Sequence, residues 1–350
     1  MPGGFGNKNG RGAQTVPTLG VQKWIYGANG REIDAMILSA SRRTDIPCFY
    51  SEWFCNRLQA GYVDVRNPMR PHAVSRVPLS PQVVDGIVFW TKNPAPMLKR
   101  LDALQDYAYY FQFTLTPYGA DIEKRLPPKN EIVATFRKLS AAIGKERVVW
   151  RYDPIFINSA YTVQYHVACF RRLCDQLSSY TENCTVSFID LYRKIQRSIA
   201  PYGIAPPNDS QIEELMGCFS EIACARSIAL DVCAEEIDLT RFGIARAQCI
   251  EKRRLERIGQ CTLNAAKDKN QRAACGCLES IDIGAYNTCK NGCVYCYANL
   301  NGIRVERQCS AYDPKAALLC SVPGPEDRVF KRNAVSLKAV QLDFWEDVQK

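Results

Sequence analysis

Seven short, continuously apolar segments recur along this chain, and they constrain its fold more than any other feature. They are AMILSAS (35–41), GIVFWTK (86–92), YYFQFTLT (109–116), RVVWRYD (147–153), CTVSFID (184–190), IALDVCA (228–234) and SIDIGAY (280–286). Most carry apolar residues at successive positions, which is typical of strands that are buried on both faces and are usually parallel. The segments therefore predict a parallel sheet.

Amphipathic helical patterns lie between these segments. Residues 130–144 place apolar side chains on one face, with Asn130 as the expected cap and Gly144 at the C-terminal stop. Residues 210–224 show a similar stripe, and Ser210 with Glu213 predicts a capping box. Strand followed by helix, repeated, predicts an α/β fold built from right-handed βα units, and we expect a partial or closed parallel (β/α) barrel.

Four of the predicted strands end in polar residues that are followed closely by proline. These stretches are SRRTDIP (41–47), WTKNP (90–94), TLTP (114–117) and RYDP (151–154). Because proline cannot continue a strand ladder, each stretch is expected to mark where the chain leaves the sheet. Any one of these polar residues could equally be a helix cap or an ion-pair partner. As a set, they predict a site on the carboxyl rim of the barrel. They are Arg42, Arg43, Asp45, Thr91, Lys92, Thr114, Thr116, Arg151 and Asp153.

Composition narrows the class of protein. The chain has 350 residues, a formal charge of +9 and 17 cysteines, with no apolar run long enough to span a bilayer. An odd number of cysteines without an export signal favours reduced thiols and metal ligation, so we expect a soluble, cytoplasmic protein. The positive charge favours an anionic partner, such as a small anionic substrate or nucleic acid. We expect a disordered leader over residues 1–20, a barrel domain over 21–305 and a C-terminal extension over 306–350.

Three cysteines occur together in the stretch DIGAYNTCKNGCVYCYANL, at Cys289, Cys293 and Cys296. Thiolates are soft ligands that suit iron–sulfur clusters and zinc. Three closely spaced cysteines would leave one iron of a [4Fe-4S] cluster without a protein ligand, free to bind a small molecule. The alternative is a zinc site, in which Cys275 or Cys277 would supply the fourth ligand.

The spacing CxxxCxxC, with Tyr295 before the last cysteine, resembles the cluster-binding signature of the radical S-adenosylmethionine (SAM) enzymes. The wider set SRRTDIP, FWTKNP, FTLTPYG, WRYDPI and SFID resembles a bacterial domain-of-unknown-function family, the one numbered eighteen-forty-eight. This resemblance runs from about Met36 to about Arg304 and implies a cluster and a class of chemistry, but no substrate.

The resemblance implies that the open iron binds SAM and that an electron donor, such as flavodoxin or ferredoxin, drives its cleavage to a 5′-deoxyadenosyl radical. Radical SAM enzymes carry the cysteine loop after the first strand, whereas here it follows the last one. If SIDIGAY pairs with AMILSAS, the loop reaches the same rim, as in a circularly permuted barrel.

The rim residues are assigned from their positions at predicted strand ends. Those expected to hold SAM are Thr114, Arg151, Asp153, Ser187 and Asp190. Those expected to face the substrate, as the candidate catalytic set, are Arg42, Arg43, Asp45 and Lys92. Two arginines and a lysine suit an anionic substrate.

Four further cysteines form a candidate second site, either another iron–sulfur cluster or zinc. They are Cys233, Cys249, Cys275 and Cys277, and their long spacing is equally compatible with buried thiols that pack as small apolar side chains. The competing function is a non-catalytic iron–sulfur or zinc protein that binds nucleic acid. A radical enzyme that acts on nucleic acid, in the manner of spore photoproduct lyase, is compatible with the charge.

Overall fold

A computed structural model describes residues 25–26, 32–33 and 36–339 of the chain. Residues Ile25–Tyr26 and Glu32–Ile33 form a short antiparallel pair. The predicted disordered leader lies outside the described residues. No helix in the described ranges combines the length and the apolar character that crossing a membrane requires.

Eight parallel strands form the central sheet. In chain order they are β1 (Ile37–Ala40), β2 (Gly86–Thr91), β3 (Tyr109–Thr114), β4 (Val148–Ile155), β5 (Asn183–Phe188), β6 (Ala229–Val232), β7 (Ala245–Arg246) and β8 (Ile281–Asp282). The parallel α/β fold predicted from the apolar segments is therefore confirmed. Strand β7 was not predicted. The proline in RYDP does not end its strand as predicted. Strand β4 continues to Ile155, with a shift of its register against β5 after Tyr152.

The strands lie in the spatial order β7-β6-β5-β4-β3-β2-β1-β8. Each of the first six strands is followed along the chain by its neighbour in the sheet, and β8 returns to the far side of β1. Because right-handed crossovers that step in one direction fall on one face, this order places the connecting helices together. A doubly wound sheet instead reverses direction near its middle. Within the described residues, β7 and β8 are the two edges of the sheet.

The described residues also form helices, most of which connect successive strands of this sheet. They are α1 (Ile46–Phe49), α2 (Ser51–Ala60), α3 (Ala95–Leu98), α4 (Lys129–Ile143), α5 (Val163–Leu177), α6 (Gln196–Ile199), α7 (Asp209–Cys224), α8 (Lys252–Gly259) and α9 (Gly302–Cys309). Short 3-10 turns occur at Leu101–Leu104, Lys145–Arg147, Ala200–Tyr202 and Thr240–Phe242.

Alternate residues of the strands enter two different cores, one on each face of the sheet. Leu38, Phe89 and Trp150 belong to the larger core, which also contains the buried residues of α1 to α5 and α7. Their neighbours Ile37 and Val88 belong to a second core, which is completed by side chains of the segment 249–278. Burial on both faces explains why the strand segments are apolar at successive positions.

Two predicted helix caps are wrong. Helix α4 begins after Pro128 without a side-chain cap, so Asn130 does not cap it, although Gly144 does end it with a φ of 92°. Helix α7 is capped by Asn208 and Gln211, which form the reciprocal capping box two residues before the predicted pair. The extended backbone of Asn208 allows its side chain to reach the Gln211 amide. The predicted pair, Ser210 and Glu213, has the same three-residue spacing as this observed pair.

A small three-stranded sheet, which was not predicted, joins the C-terminal extension to the domain. Tyr62–Arg66 pairs antiparallel with Ala73–Pro78, and Arg328–Lys331 adds to the latter in parallel. Arg66 also forms a bidentate ion pair with Asp327. The C-terminal extension therefore contacts the preceding part of the chain through this sheet.

His166 on α5 predicts a specific dependence of stability on pH. Its side chain is fully buried, its Nε2 lies 2.9 Å from the Phe156 carbonyl oxygen, and its Nδ1 lies 2.8 Å from the Tyr152 hydroxyl. Because a carbonyl can only accept, Nε2 carries the proton and the Tyr152 hydroxyl donates to Nδ1. Burial lowers the pKa of His166 to about 4.

The unfolded chain therefore binds a proton near pH 6.5, while the folded chain resists it until about pH 4. The stabilisation due to neutral His166 is present above pH 6.5 and is lost as pH falls, by up to about 3 kcal/mol. As pH falls between these values, we expect the wild type to lose resistance to urea relative to a His166→Gln variant. The comparison cancels the carboxyl groups common to both proteins. Parallel pH profiles for the two would contradict the prediction.

Candidate functional site

The cysteine loop leaves the sheet beside the carboxyl end of β1. Strand β8 pairs in parallel with β1, with Ile281 opposite Leu38 and Asp282 opposite Ser39. The Asp282 carboxylate accepts hydrogen bonds from the Ser39 and Ser41 hydroxyls, at 2.9 and 2.6 Å. The predicted pairing of SIDIGAY with AMILSAS is confirmed, and the loop emerges at the edge where the other parallel strands end.

Asp45 connects this loop to the ends of β1 and β2. One of its oxygens accepts from the Cys48 amide at 3.0 Å. The other accepts from the Lys92 amide at 2.8 Å and from the Asn291 side chain at 3.1 Å. Burial raises the pKa of this carboxyl group. One oxygen of Asp45 thus holds the loop between Cys289 and Cys293 through Asn291, and the other holds the start of α1.

Lys92 and Glu123 form a buried polar network behind the loop. The Lys92 ammonium donates to Glu123 at 2.7 Å and to the Tyr295 hydroxyl at 2.9 Å. Glu123 also accepts from the Thr116 hydroxyl at 2.8 Å, from the Tyr295 hydroxyl and from Lys129. Burial alone would raise the pKa of Glu123, but the two lysines outweigh it and lower the pKa to about 2.

Glu123, Lys129 and Asn291 were not predicted as site residues. The backbone of Glu123 forms an isolated bridge with Cys293, which ties the loop after β3 directly to the cysteine loop. The only sequence signal for Glu123 is an acidic residue shortly after the strand-end stretch TLTP. Acidic residues are common in loops, where most of them are simply exposed to water, so that signal is not specific.

The three cysteines of the loop are half-buried and influence one another electrostatically. The backbone amide of Asn291 donates to the Cys289 sulfur, and the amides of Ala298 and Asn299 donate to the Cys296 sulfur. Burial raises the pKa of Cys293 to about 12, against the opposing effect of Lys92. The free thiols are therefore neutral, and any metal that binds them must displace their protons.

The described residues contain no group of three or more His, Cys, Asp or Glu side chains arranged to hold a metal ion. A zinc ion draws its ligands to about 2.3 Å from a single point. A cluster of several irons instead presents separate corners to separate sulfurs. The two alternatives predicted for the loop therefore differ in how they arrange their ligands.

Three of the residues expected to hold SAM form one network on the strands β4 and β5. Two nitrogens of Arg151 donate to one oxygen of Asp153, at 3.1 and 2.6 Å, and the Ser187 hydroxyl donates to the other oxygen. Arg151 is buried. Thr114 lies opposite Arg151 in the register between β3 and β4, so the predicted set does gather at adjacent strand ends.

Asp190, the fifth residue expected to hold SAM, lies apart from that network. It is exposed and pairs with Arg272 at 2.7 Å. Both residues line a cavity of about 580 Å³ beyond the ends of β5 and β6, together with Glu235. The cysteine loop does not contribute to the lining of this cavity.

Arg42 and Arg43 lie at the base of the cysteine loop. The Arg43 guanidinium stacks on Tyr286 at 5.4 Å and reaches the Gly284 carbonyl at 3.4 Å. The Arg42 guanidinium stacks on Trp90 at 4.9 Å, and its buried Nη2 has no hydrogen-bond partner among the described residues.

Fold and site together define a class: a parallel α/β protein that carries a thiol-rich loop at the carboxyl edge of its sheet. Residues 37–298 match the model of a family described as a domain of unknown function (DUF1848), and the chain belongs to that family. No curated protein and no solved structure matches the chain.

Proposed function

We propose that this protein is a radical SAM-type enzyme that holds a [4Fe-4S] cluster through Cys289, Cys293 and Cys296. The observation that carries the proposal is the placement of these three thiols on one loop at the carboxyl edge of a sequentially ordered parallel sheet. When bound, such a cluster would supply one electron to SAM, whose cleavage yields a 5′-deoxyadenosyl radical that takes hydrogen from the substrate. The protein supplies binding, orientation and exclusion of water.

The donors around the loop suit an anionic cluster. Backbone amides already point at two of the three sulfurs, and hydrogen bonds of this kind tune iron–sulfur centres. Lys92 is close enough to Cys293 to oppose the rise in the pKa of that thiol. A buried ammonium beside three thiolates would offset part of the negative charge of a bound cluster.

The proposed barrel is partial and circularly permuted. Its strand order is sequential, and the cysteine loop follows the last strand instead of the first. Thr114, Arg151, Asp153 and Ser187 would hold the polar atoms of SAM, because they meet at the ends of β3, β4 and β5. Asp190 would contribute from the neighbouring cavity.

The substrate is proposed to be anionic. Arg42 and Arg43 lie at the base of the cysteine loop, and the Arg42 Nη2 has no hydrogen-bond acceptor in the described residues. Lys92 would act from its network with Glu123 and Tyr295. Asp45 would position the cysteine loop without contacting the substrate, since both of its oxygens already accept hydrogen bonds from Cys48, Lys92 and Asn291.

The proposal is tested by SAM cleavage. Protein reconstituted anaerobically with iron and sulfide is expected to form 5′-deoxyadenosine when SAM and dithionite are added, and to form none when either is omitted. Chromatography of the quenched reaction measures the product. A folded, iron-loaded sample that forms no 5′-deoxyadenosine would refute the proposal. Salt-sensitive binding to DNA or RNA by such a sample, independent of SAM, would instead indicate the nucleic-acid-binding alternative.

A further inference from the structure

Four cysteines that are far apart in the sequence meet on the face of the sheet that the second core covers, here called the inner face. Cys233 follows β6, Cys249 follows β7, and Cys275 and Cys277 precede β8. The sulfurs of Cys233 and Cys249 are 3.1 Å apart. The neighbouring thiols of Cys249 and Cys275 raise the pKa of Cys277. The four sulfurs therefore form a continuous group.

This group lies in the core that covers the inner face of the sheet. Cys249, Cys275 and Cys277 are buried there, and Cys233 is partly buried against them. The Cys249 carbonyl is fixed by the Tyr110 hydroxyl at 2.7 Å and by the Gln112 side chain at 2.9 Å. Since β6 and β7 lie at one end of the sheet and β8 at the other, the group joins the segments that belong to its two edges.

Two arginines lie beside these sulfurs. Arg151 donates to the Cys249 sulfur at 2.9 Å, while its other nitrogens pair with Asp153. Arg42 is close enough to Cys249 and Cys277 for their charges to affect it, and its buried Nη2 has no hydrogen-bond partner in the described part of the chain. A buried guanidinium that lacks an acceptor is costly. Thiolates that ligate a cluster at these cysteines would place negative charge beside that guanidinium.

We infer that Cys233, Cys249, Cys275 and Cys277 ligate a second iron–sulfur cluster, separate from the one proposed on the cysteine loop. Four thiolates complete the ligand set of a [2Fe-2S] or a [4Fe-4S] cluster, so this centre has no open iron for SAM. Zinc would use the same four thiolates, and the metal content of the protein distinguishes the two centres. The inference does not depend on SAM cleavage at the other site.

The test removes the three cysteines of the loop and measures the iron and sulfide that the protein still binds. In a variant with Cys289→Ala, Cys293→Ala and Cys296→Ala combined, purified without oxygen, we expect about two or four iron atoms per chain and an equal amount of sulfide. Adding Cys249→Ser to that variant should remove the iron, the sulfide and the visible absorption. Adding Cys174→Ala, a buried thiol on α5 outside this group, should leave all three unchanged.

Circular dichroism separates loss of the cluster from loss of the fold. If the Cys249→Ser variant does not fold, the outer ligands are tested by Cys233→Ser and Cys275→Ser, and loss of iron from either folded variant supports the inference. Three results would overturn it: a folded loop variant without iron, one that holds zinc in place of iron and sulfide, or unchanged iron in both outer variants. None of these results bears on whether the wild type forms 5′-deoxyadenosine.

Discussion

Replacing Cys293 by alanine is expected to reduce formation of 5′-deoxyadenosine by more than about 100-fold while the protein remains folded. Removing a residue that only supports a metal ligand typically costs about 10–100-fold, and the loss of a ligand itself should exceed that. The thiol of Cys293 is neutral and partly exposed, so its replacement by a smaller apolar side chain breaks no ion pair. We therefore expect this variant to lose activity and to keep the stability of the wild type.

The measurement compares 5′-deoxyadenosine per folded chain, after anaerobic reconstitution, between Cys293→Ala and the wild type. Cys224→Ala is the matched control, because Cys224 is an exposed free thiol at the end of α7. It should retain full activity. If the Cys293→Ala variant cleaved SAM at the rate of the wild type, the assignment of this cysteine as a ligand would be wrong.

The sheet could be predicted from the sequence because a strand buried on both faces needs apolar residues at successive positions. Each of the seven predicted segments overlaps a strand of the central sheet, and their order along the chain is also their order in space except at β8. The elements that were missed lack that signal. Strand β7 has only two residues, both exposed, and the strands Tyr62–Arg66 and Ala73–Pro78 are largely half-buried.

The site was predicted less completely, because a polar side chain does not reveal its partner in the sequence. That Cys289 would lie near the ends of β1 and β2 followed from the pairing of the last strand with the first. That Asp45 would bind the amide of Lys92 and the side chain of Asn291 could not be foreseen. The contact of Cys233 with Cys249 likewise depends on how segment 249–278 covers the inner face of the sheet.

Replacing Glu123 by glutamine is expected to destabilise the protein by about 3–5 kcal/mol, because a buried charge pair loses one partner. Glu123 is only 2% exposed, and it is the carboxylate that Lys92 and Lys129 share. Glutamine keeps the size and can still accept from the hydroxyls of Thr116 and Tyr295. It cannot neutralise two ammonium groups, which would then face each other without an anion. The effect should appear as a lower midpoint in urea unfolding at neutral pH.

The matched control is Glu213→Gln, which breaks the exposed ion pair with Arg241 and should cost less than about 1 kcal/mol. Combining Glu123→Gln with Lys129→Met removes one of the unpaired ammonium groups, so we expect it to recover part of the lost stability. The same network holds Tyr295 beside the cysteine loop, and the Glu123 backbone pairs with Cys293. The glutamine variant should therefore also retain less iron at the loop after reconstitution. Unfolding within about 1 kcal/mol of the wild type would show that Glu123 does not anchor the loop by its charge.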